Sequence, residues 1–156
     1  MRALHMSAEL VFMMGQFEAR FPTDRLYARN HMWATMSGNT LRFGFSAYAV
    51  RLLQDVYFLD LTIEPGMKVT AKQEIGSIES KKAESSLYSP IDGTVFACNQ
   101  VLLEDPSEIN VDKYGNGWLF ELQGSTDSLL SPEDYLVHLT AAWEVAQRTI
   151  KGQANL

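Results

Sequence analysis

GSIESKKAESSLYSPIDG, Gly76–Gly93, decides the reading of this 156-residue chain. The arm before its tip carries Ile75 and Ile78 among Lys72, Gln73, Glu74 and Gly76. The arm after it runs through Leu87 and Tyr88 into Ser89-Pro90-Ile91-Asp92-Gly93, whose proline and Asp-Gly pair are turn signals. Between the arms, Glu79-Ser80-Lys81-Lys82-Ala83-Glu84-Ser85-Ser86 holds no large apolar side chain. Two apolar arms around a polar tip predict a β-hairpin displayed to solvent, with a lysine at its end. A lysine in such a place is ordinarily a solvated charge. What surrounds this one gives it more to do.

Glu79-Ser80-x-Lys82-Ala83, followed by Tyr88-Ser89-Pro90-x-x-Gly93, resembles the lipoyl-attachment hairpin of the glycine-cleavage H-protein family. In that family the lysine just before the alanine carries the lipoyl group, so the resemblance places a covalent lipoyl amide on Lys82 and leaves Lys81 as its neighbour. Biotinyl domains set their lysine between methionines; here it lies between Lys81 and Ala83. The similarity runs in matching order from Arg25 to Gln123. It takes in Tyr27, His31-x-Trp33, a helix-capped segment at Ser46–Asp55, the strand Val56–Leu61, and Tyr114-Gly115-x-Gly117-Trp118. The lipoyl domains of 2-oxoacid dehydrogenases share the lysine hairpin; the His-x-Trp opening and the Tyr-Gly-x-Gly-Trp close belong to the H-protein type.

The resemblance implies a flattened lipoyl-domain β-sandwich or barrel with added helices, a carrier with no catalytic residues of its own. A lipoate ligase or lipoyl transferase would load it. Glu79, Ser80 and Ala83 would join Lys82 as the cofactor-binding residues, and Glu79 and Glu84 would help present the hairpin to the ligase or to partners. His31, Met32 and Ser86 fall where the family shelters the loaded arm in a cargo cleft. H proteins that shuttle an aminomethyl group usually carry an acid at the two positions held here by Met32 and Ser86. A buried ammonium needs anionic partners, so the two replacements favour another cargo. The expectation is a sulfur-bound intermediate, passed to a heterodisulfide-reductase-like complex in sulfur oxidation, since a thioether packs well against polarizable groups. The alternative is aminomethyl transfer among glycine cleavage enzymes, with Glu84 or Asp55 supplying the charge. A scaffold on which lipoyl groups are built before transfer would carry the same hairpin.

The remaining sequence is consistent with a non-catalytic role. Hydrophobic residues at 46% and charged residues at 21% fit a soluble globular chain. A net charge of −6 with no basic run speaks against nucleic acid and anionic membrane as partners. Cys98 is the only cysteine, which excludes an internal disulfide and a CxxC metal site. His5, His31 and His138 lack metal-ligand spacing. No Ser-His-Asp set, phosphate loop or His-Glu-x-x-His appears. The apolar patch Leu10–Met14 is too short for a bilayer span and unlike a signal peptide, so a cytoplasmic location is expected.

The organisation expected is an N-terminal helical extension over 1–24, the lipoyl domain over 25–123, and a linker with a long C-terminal helix over 124–156. Residues 7–20 read as a helix capped by Ser7, with Leu10, Met13, Met14 and Phe17 on one face and Pro22 at its end. Strands are expected at Leu26–Trp33, Asn39–Phe45, Val56–Leu61, Met67–Val69, Ile75–Ser80, Thr94–Cys98 and Trp118–Leu122, and a helix at Ala47–Leu53. Residues 99–113 read as connection, with a helical turn near Gln100–Leu103. Ser131-Pro132-Glu133-Asp134 starts the final helix with a cap, a first-turn proline and two acids. Tyr135, Leu136, Leu139, Ala142, Trp143, Ala146 and Ile150 then form an apolar stripe, against the sandwich or a partner.

Overall fold

A computed structural model describes residues 8–154, with side chains through Arg148. Two sheets face each other. The larger is built from β3 (Leu26–Tyr27), β4 (Met32–Ser37), β5 (Thr40–Phe45), β7 (Lys68–Val69), β10 (Gly93–Cys98) and β11 (Phe120–Gly124), in the order β3-β4-β5-β11-β10-β7. The smaller holds β6 (Val56–Leu61), β8 (Glu74–Ser80) and β9 (Glu84–Tyr88), in the order β6-β8-β9. Alternation explains the packing. Leu41 and Phe43 point into the core at 1% and 0% exposure while Arg42 points out, pairing with Glu121 at 2.9 Å and covering the Trp118 ring. Ile75, Ile78 and Leu87 answer from the smaller sheet, and one apolar core fills the space between. The expected β-sandwich is the fold.

Helix α1 (Ala47–Leu53) links β5 to β6. Two short helices, α2 (Gln100–Glu104) and α3 (Glu108–Val111), occupy the stretch expected to be mostly connection. The strand expected at Leu26–Trp33 is interrupted by a turn in which His31 takes φ +72°. The final helix, α4 (Pro132–Ala154), starts as anticipated, with the Ser131 hydroxyl accepting the Asp134 amide at 3.1 Å. Ile150, the last member of the expected stripe, lies outside the described side chains, and Ser7, the expected first cap, lies outside the described residues.

The N-terminal helix is not there. Residues 9–22 form a hairpin of β1 (Glu9–Met14) and β2 (Phe17–Pro22), paired in register from Glu9↔Pro22 to Met14↔Phe17. Leu10, Phe12 and Met14 alternate with Glu9, Val11 and Met13, a period of two that coexists with the helical spacing of Leu10, Met13, Met14 and Phe17. Gly15 decides between them. It takes φ +64° at the first loop position, as a tight hairpin turn wants and a helix does not.

This hairpin and α4 close over a second core, separate from the sandwich interior. Tyr27 and Tyr135 stack at 4.7 Å, and Phe21 meets both edge-on at 6.0 and 5.4 Å. The stripe of α4 therefore packs within the chain, against β1 and β3. Trp33, also in this core, lies over Gly44, where a Cβ would stand 2.6 Å from the indole. Its Nε1 donates to the Lys113 carbonyl at 2.8 Å. Tyr114 donates to the Arg20 carbonyl at 2.8 Å and accepts the Ala47 amide at 2.9 Å. Trp33 and Tyr114 are thus joints between the sandwich and its N-terminal hairpin.

Candidate functional site: a lysine hairpin beside a cleft without acids

Strands β8 and β9 form the expected hairpin, joined by Lys81, Lys82 and Ala83. Ser80, only 4% exposed, folds the tip. Its amide donates to the Ala83 carbonyl at 2.8 Å, and its Oγ accepts the Ala83 amide at 3.2 Å and the Lys82 amide at 3.4 Å. Glu79 and Glu84 stand directly opposite each other at the base of the loop. Like charges in that position repel by a few tenths of a kcal/mol, about 0.2–1. The Lys81 amide is tied to the Asp55 carbonyl at 2.8 Å. The Lys82 side chain is exposed and, among the described residues, has no hydrogen bond or ion pair. A free primary amine on a braced loop fits covalent attachment of an acyl group.

The brace reaches further. Asn110, on α3, spans the loop that holds Lys81: its Oδ1 accepts the Val56 amide at 2.9 Å and its Nδ2 donates to the Gln54 carbonyl at 2.6 Å. Gln54 sits at φ +60°, ψ −139°, a conformation costly for a side-chain-bearing residue. Asn110→Ala removes both bonds, and urea denaturation should show a loss of about 1–3 kcal/mol.

Beside the hairpin opens a cleft of about 390 Å³. One wall is Arg29–Met32, the turn between β3 and β4. The floor comes from Phe45, Ala49, Leu52 and Leu53, and the wall nearest Lys82 from Ile78 and Ser85–Tyr88. His31 and Met32, neighbours in one turn, and the sequence-distant Ser86 therefore share one cavity. Met32 is 1% exposed and belongs as much to the core as to the cleft. Among the described residues no aspartate or glutamate lines it. Glu84 remains on the exposed tip, and Asp55 lines a different pocket, with Phe17 and Arg51. Neither supplies the cleft with charge.

His31 is the polar centre of the cleft. Its Nδ1 lies 2.9 Å from the Tyr135 hydroxyl, which is 2.8 Å from the hydroxyl of fully buried Ser46. Burial, and secondarily His138, lowers its pKa to about 4. Below pH 6.5 the unfolded chain takes up a proton that the folded chain refuses until about pH 4. Stability should fall across that window by up to about 3 kcal/mol. In His31→Asn, which tolerates the positive φ, the pH slope of urea stability should be shallower. Ser46 holds the N-cap position of α1 yet makes no capping bond; its hydroxyl is committed to Tyr135. The sequence marks Ser46 as a helix cap and Tyr135 as part of an apolar stripe, and nothing in it signals that the two meet behind His31 across 89 residues.

Cys98 lies elsewhere, half-buried, with its Sγ 3.7 Å from the Ile63 carbonyl and its pKa raised by burial. Among the described residues no group of His, Cys, Asp or Glu could hold a metal ion. No helix there is long and apolar enough to cross a membrane.

A profile of the family described as glycine cleavage H-protein matches residues 25–148. The chain belongs to the glycine cleavage H-protein family. It is 43% identical over 118 residues to a glycine cleavage system H protein of Rubrobacter xylanophilus, covering 75% of this chain and 93% of the relative. It is 40% identical over 122 residues to the corresponding protein of Thermosynechococcus vestitus, covering 74% and 91%. The crystal structure of a glycine cleavage system H protein from Mycobacterium marinum superposes with a TM-score of 0.65 at 33% identity, over 74% of this chain and 95% of that one. H proteins are non-catalytic carriers with lipoate attached covalently to a lysine. The family points to glycine cleavage enzymes as partners. The sulfur-oxidation reading finds no support among these relatives, and the aminomethyl alternative fits them better.

Proposed function

We propose that this protein is the lipoyl carrier of a glycine cleavage system, with the lipoyl amide on Lys82 Nζ and the aminomethyl group as its cargo. A lipoate ligase or lipoyl transferase forms the amide, and the glycine cleavage enzymes are the docking partners. One observation carries the site assignment: Lys81 and Lys82 both present exposed amines without partners among the described residues, at the tip of a hairpin fixed by Ser80 and by the Lys81 backbone amide on Asp55, next to a cavity large enough to shelter an arm. The family's lysine-before-alanine register selects Lys82. When attached, the lipoyl group supplies a dithiolane that is reduced, takes a group onto sulfur and passes it on. The chain's own part is position and shelter. Ser80 and Ala83 set the loop, Glu79 and Glu84 flank it, and His31, Met32 and Ser86 line the refuge. A tethered arm keeps its cargo at high effective concentration near each docked enzyme.

The acid-free lining favours a second reading, in which the arm carries a sulfur-bound intermediate to a heterodisulfide-reductase-like partner. Reconstitution separates the two. Lipoylated protein supplied with glycine decarboxylase and aminomethyl transferase should turn over glycine at the rate of an ordinary H protein. No turnover, together with extra sulfur atoms on the Lys82 peptide from the native host, would replace the first reading with the second. A bare Lys82 in cells that lipoylate other proteins would overturn both.

A further inference from the structure

The buried hydroxyls behind His31 determine which of its nitrogens carries the proton. Ser46 is 0% exposed, and among the described residues the only partner of its Oγ is the Tyr135 hydroxyl at 2.8 Å. A buried hydroxyl left without an acceptor is costly, so Ser46 donates to Tyr135. The Tyr135 proton then has one acceptor within reach, His31 Nδ1 at 2.9 Å. A neutral imidazole that accepts at Nδ1 bears its hydrogen on Nε2. Among the described residues Nε2 has no protein partner, and no buried side-chain nitrogen or oxygen goes unpaired, so Nε2 reaches accessible space. His31 is part of the cleft wall.

The charges around it agree. Among the described residues the titratable side chains facing His31 are Tyr48 from α1 and Tyr135 and His138 from α4, with Arg29 and Tyr88 on the cleft lining. None is an acid. A protonated amine brought here would meet an N–H donor and a guanidinium, with no anion to offset its lost hydration. An uncharged group with a lone pair would meet a donor already oriented.

We propose that His31 is the cargo-positioning residue of this carrier: Ser46 and Tyr135 fix its imidazole as the Nε2–H tautomer, and that N–H donates into the cleft, which takes the arm's terminal group uncharged, as a hydrogen-bond acceptor. This rests on the reading that the arm docks in this cleft. An aminomethyl group enters as the free amine, which reconciles the cargo of the family with a cleft that has no carboxylate. Tyr135, on the C-terminal helix, acts through His31.

Long-range 15N–1H NMR of the His31 ring tests the tautomer, with or without lipoyl on Lys82. Nitrogen shifts typical of Nε2–H and of an accepting Nδ1 are expected at neutral pH, giving way to a mixture in Tyr135→Phe. Shelter is read separately, as formaldehyde released when water cleaves the C–S bond of loaded protein, leaving thiol and ammonia. Wild type should release it more slowly than aminomethyl dihydrolipoamide free in solution. Tyr135→Phe and His31→Leu should each speed release about three- to tenfold, the range one hydrogen bond supplies. His31→Gln, whose terminal amide reaches where Nε2–H stands, should restore most of the protection. A ring protonated at Nδ1 with slow release would overturn the tautomer and leave the docking reading intact. Slow release unchanged by His31→Leu would equally overturn the proposal. Nε2–H with release as fast as the free compound would overturn docking in the cleft, and the proposal with it.

Discussion

Lys82→Arg is expected to leave a folded protein that a lipoate ligase cannot load, with no lipoyl adduct by intact mass and carrier turnover at background. The guanidinium stays protonated and does not form the amide. The substitution should cost no more than about 0.5 kcal/mol, because the Lys82 side chain is exposed and engages nothing among the described residues. Lys81→Arg is the companion variant. Its backbone amide still reaches the Asp55 carbonyl, so the tip keeps its shape and loading should proceed on Lys82. Peptide mapping of both variants reads the assignment directly. An adduct on residue 81 in the wild type would reverse it.

Phe21→Ala should be the costliest single change outside the sandwich, at about 3–5 kcal/mol by urea denaturation. Phe21 is 0% exposed and stands edge-on to both members of the Tyr27–Tyr135 stack. Truncation would open a cavity where β2, β3 and α4 meet, bounded by rings too rigid to collapse into it. Val11, on the opposite face of the same hairpin, is 41% exposed, and Val11→Ala should stay within about 0.5 kcal/mol. A small effect at Phe21 would mean that the N-terminal hairpin is loosely attached.

The contrast between these sites follows what a sequence can express locally. The Lys82 hairpin and the start of α4 were legible because their determinants sit within a few residues of each other: Ser80 and Ala83 around the loop, Ser131 through Asp134 at the cap. The N-terminal hairpin escapes the local pattern because its apolar residues satisfy two periods at once, and one glycine, Gly15 at φ +64°, decides between them. The cleft was legible in its position and in part of its lining. Its lack of acid depended on where Glu84 and Asp55 point, which only the fold determines. The least legible features join distant residues. Asn110 braces Gln54 and Val56 across 54–56 positions, and His31 meets Tyr135 across 104. No local pattern marks such partners.

Cys98 carries a last consequence, for thiol accounting. A carrier whose working end is a dithiol would be poisoned by a reactive cysteine of its own, which could trap the arm as a mixed disulfide. The chain's single sulfhydryl is held against the Ile63 carbonyl with its ionisation suppressed by burial, and the thiolate is the form that attacks. Rapidly titrating thiols in the reduced, lipoylated protein should therefore number two, both on the arm. A simple colorimetric reagent would count loaded and empty arms without Cys98 intruding.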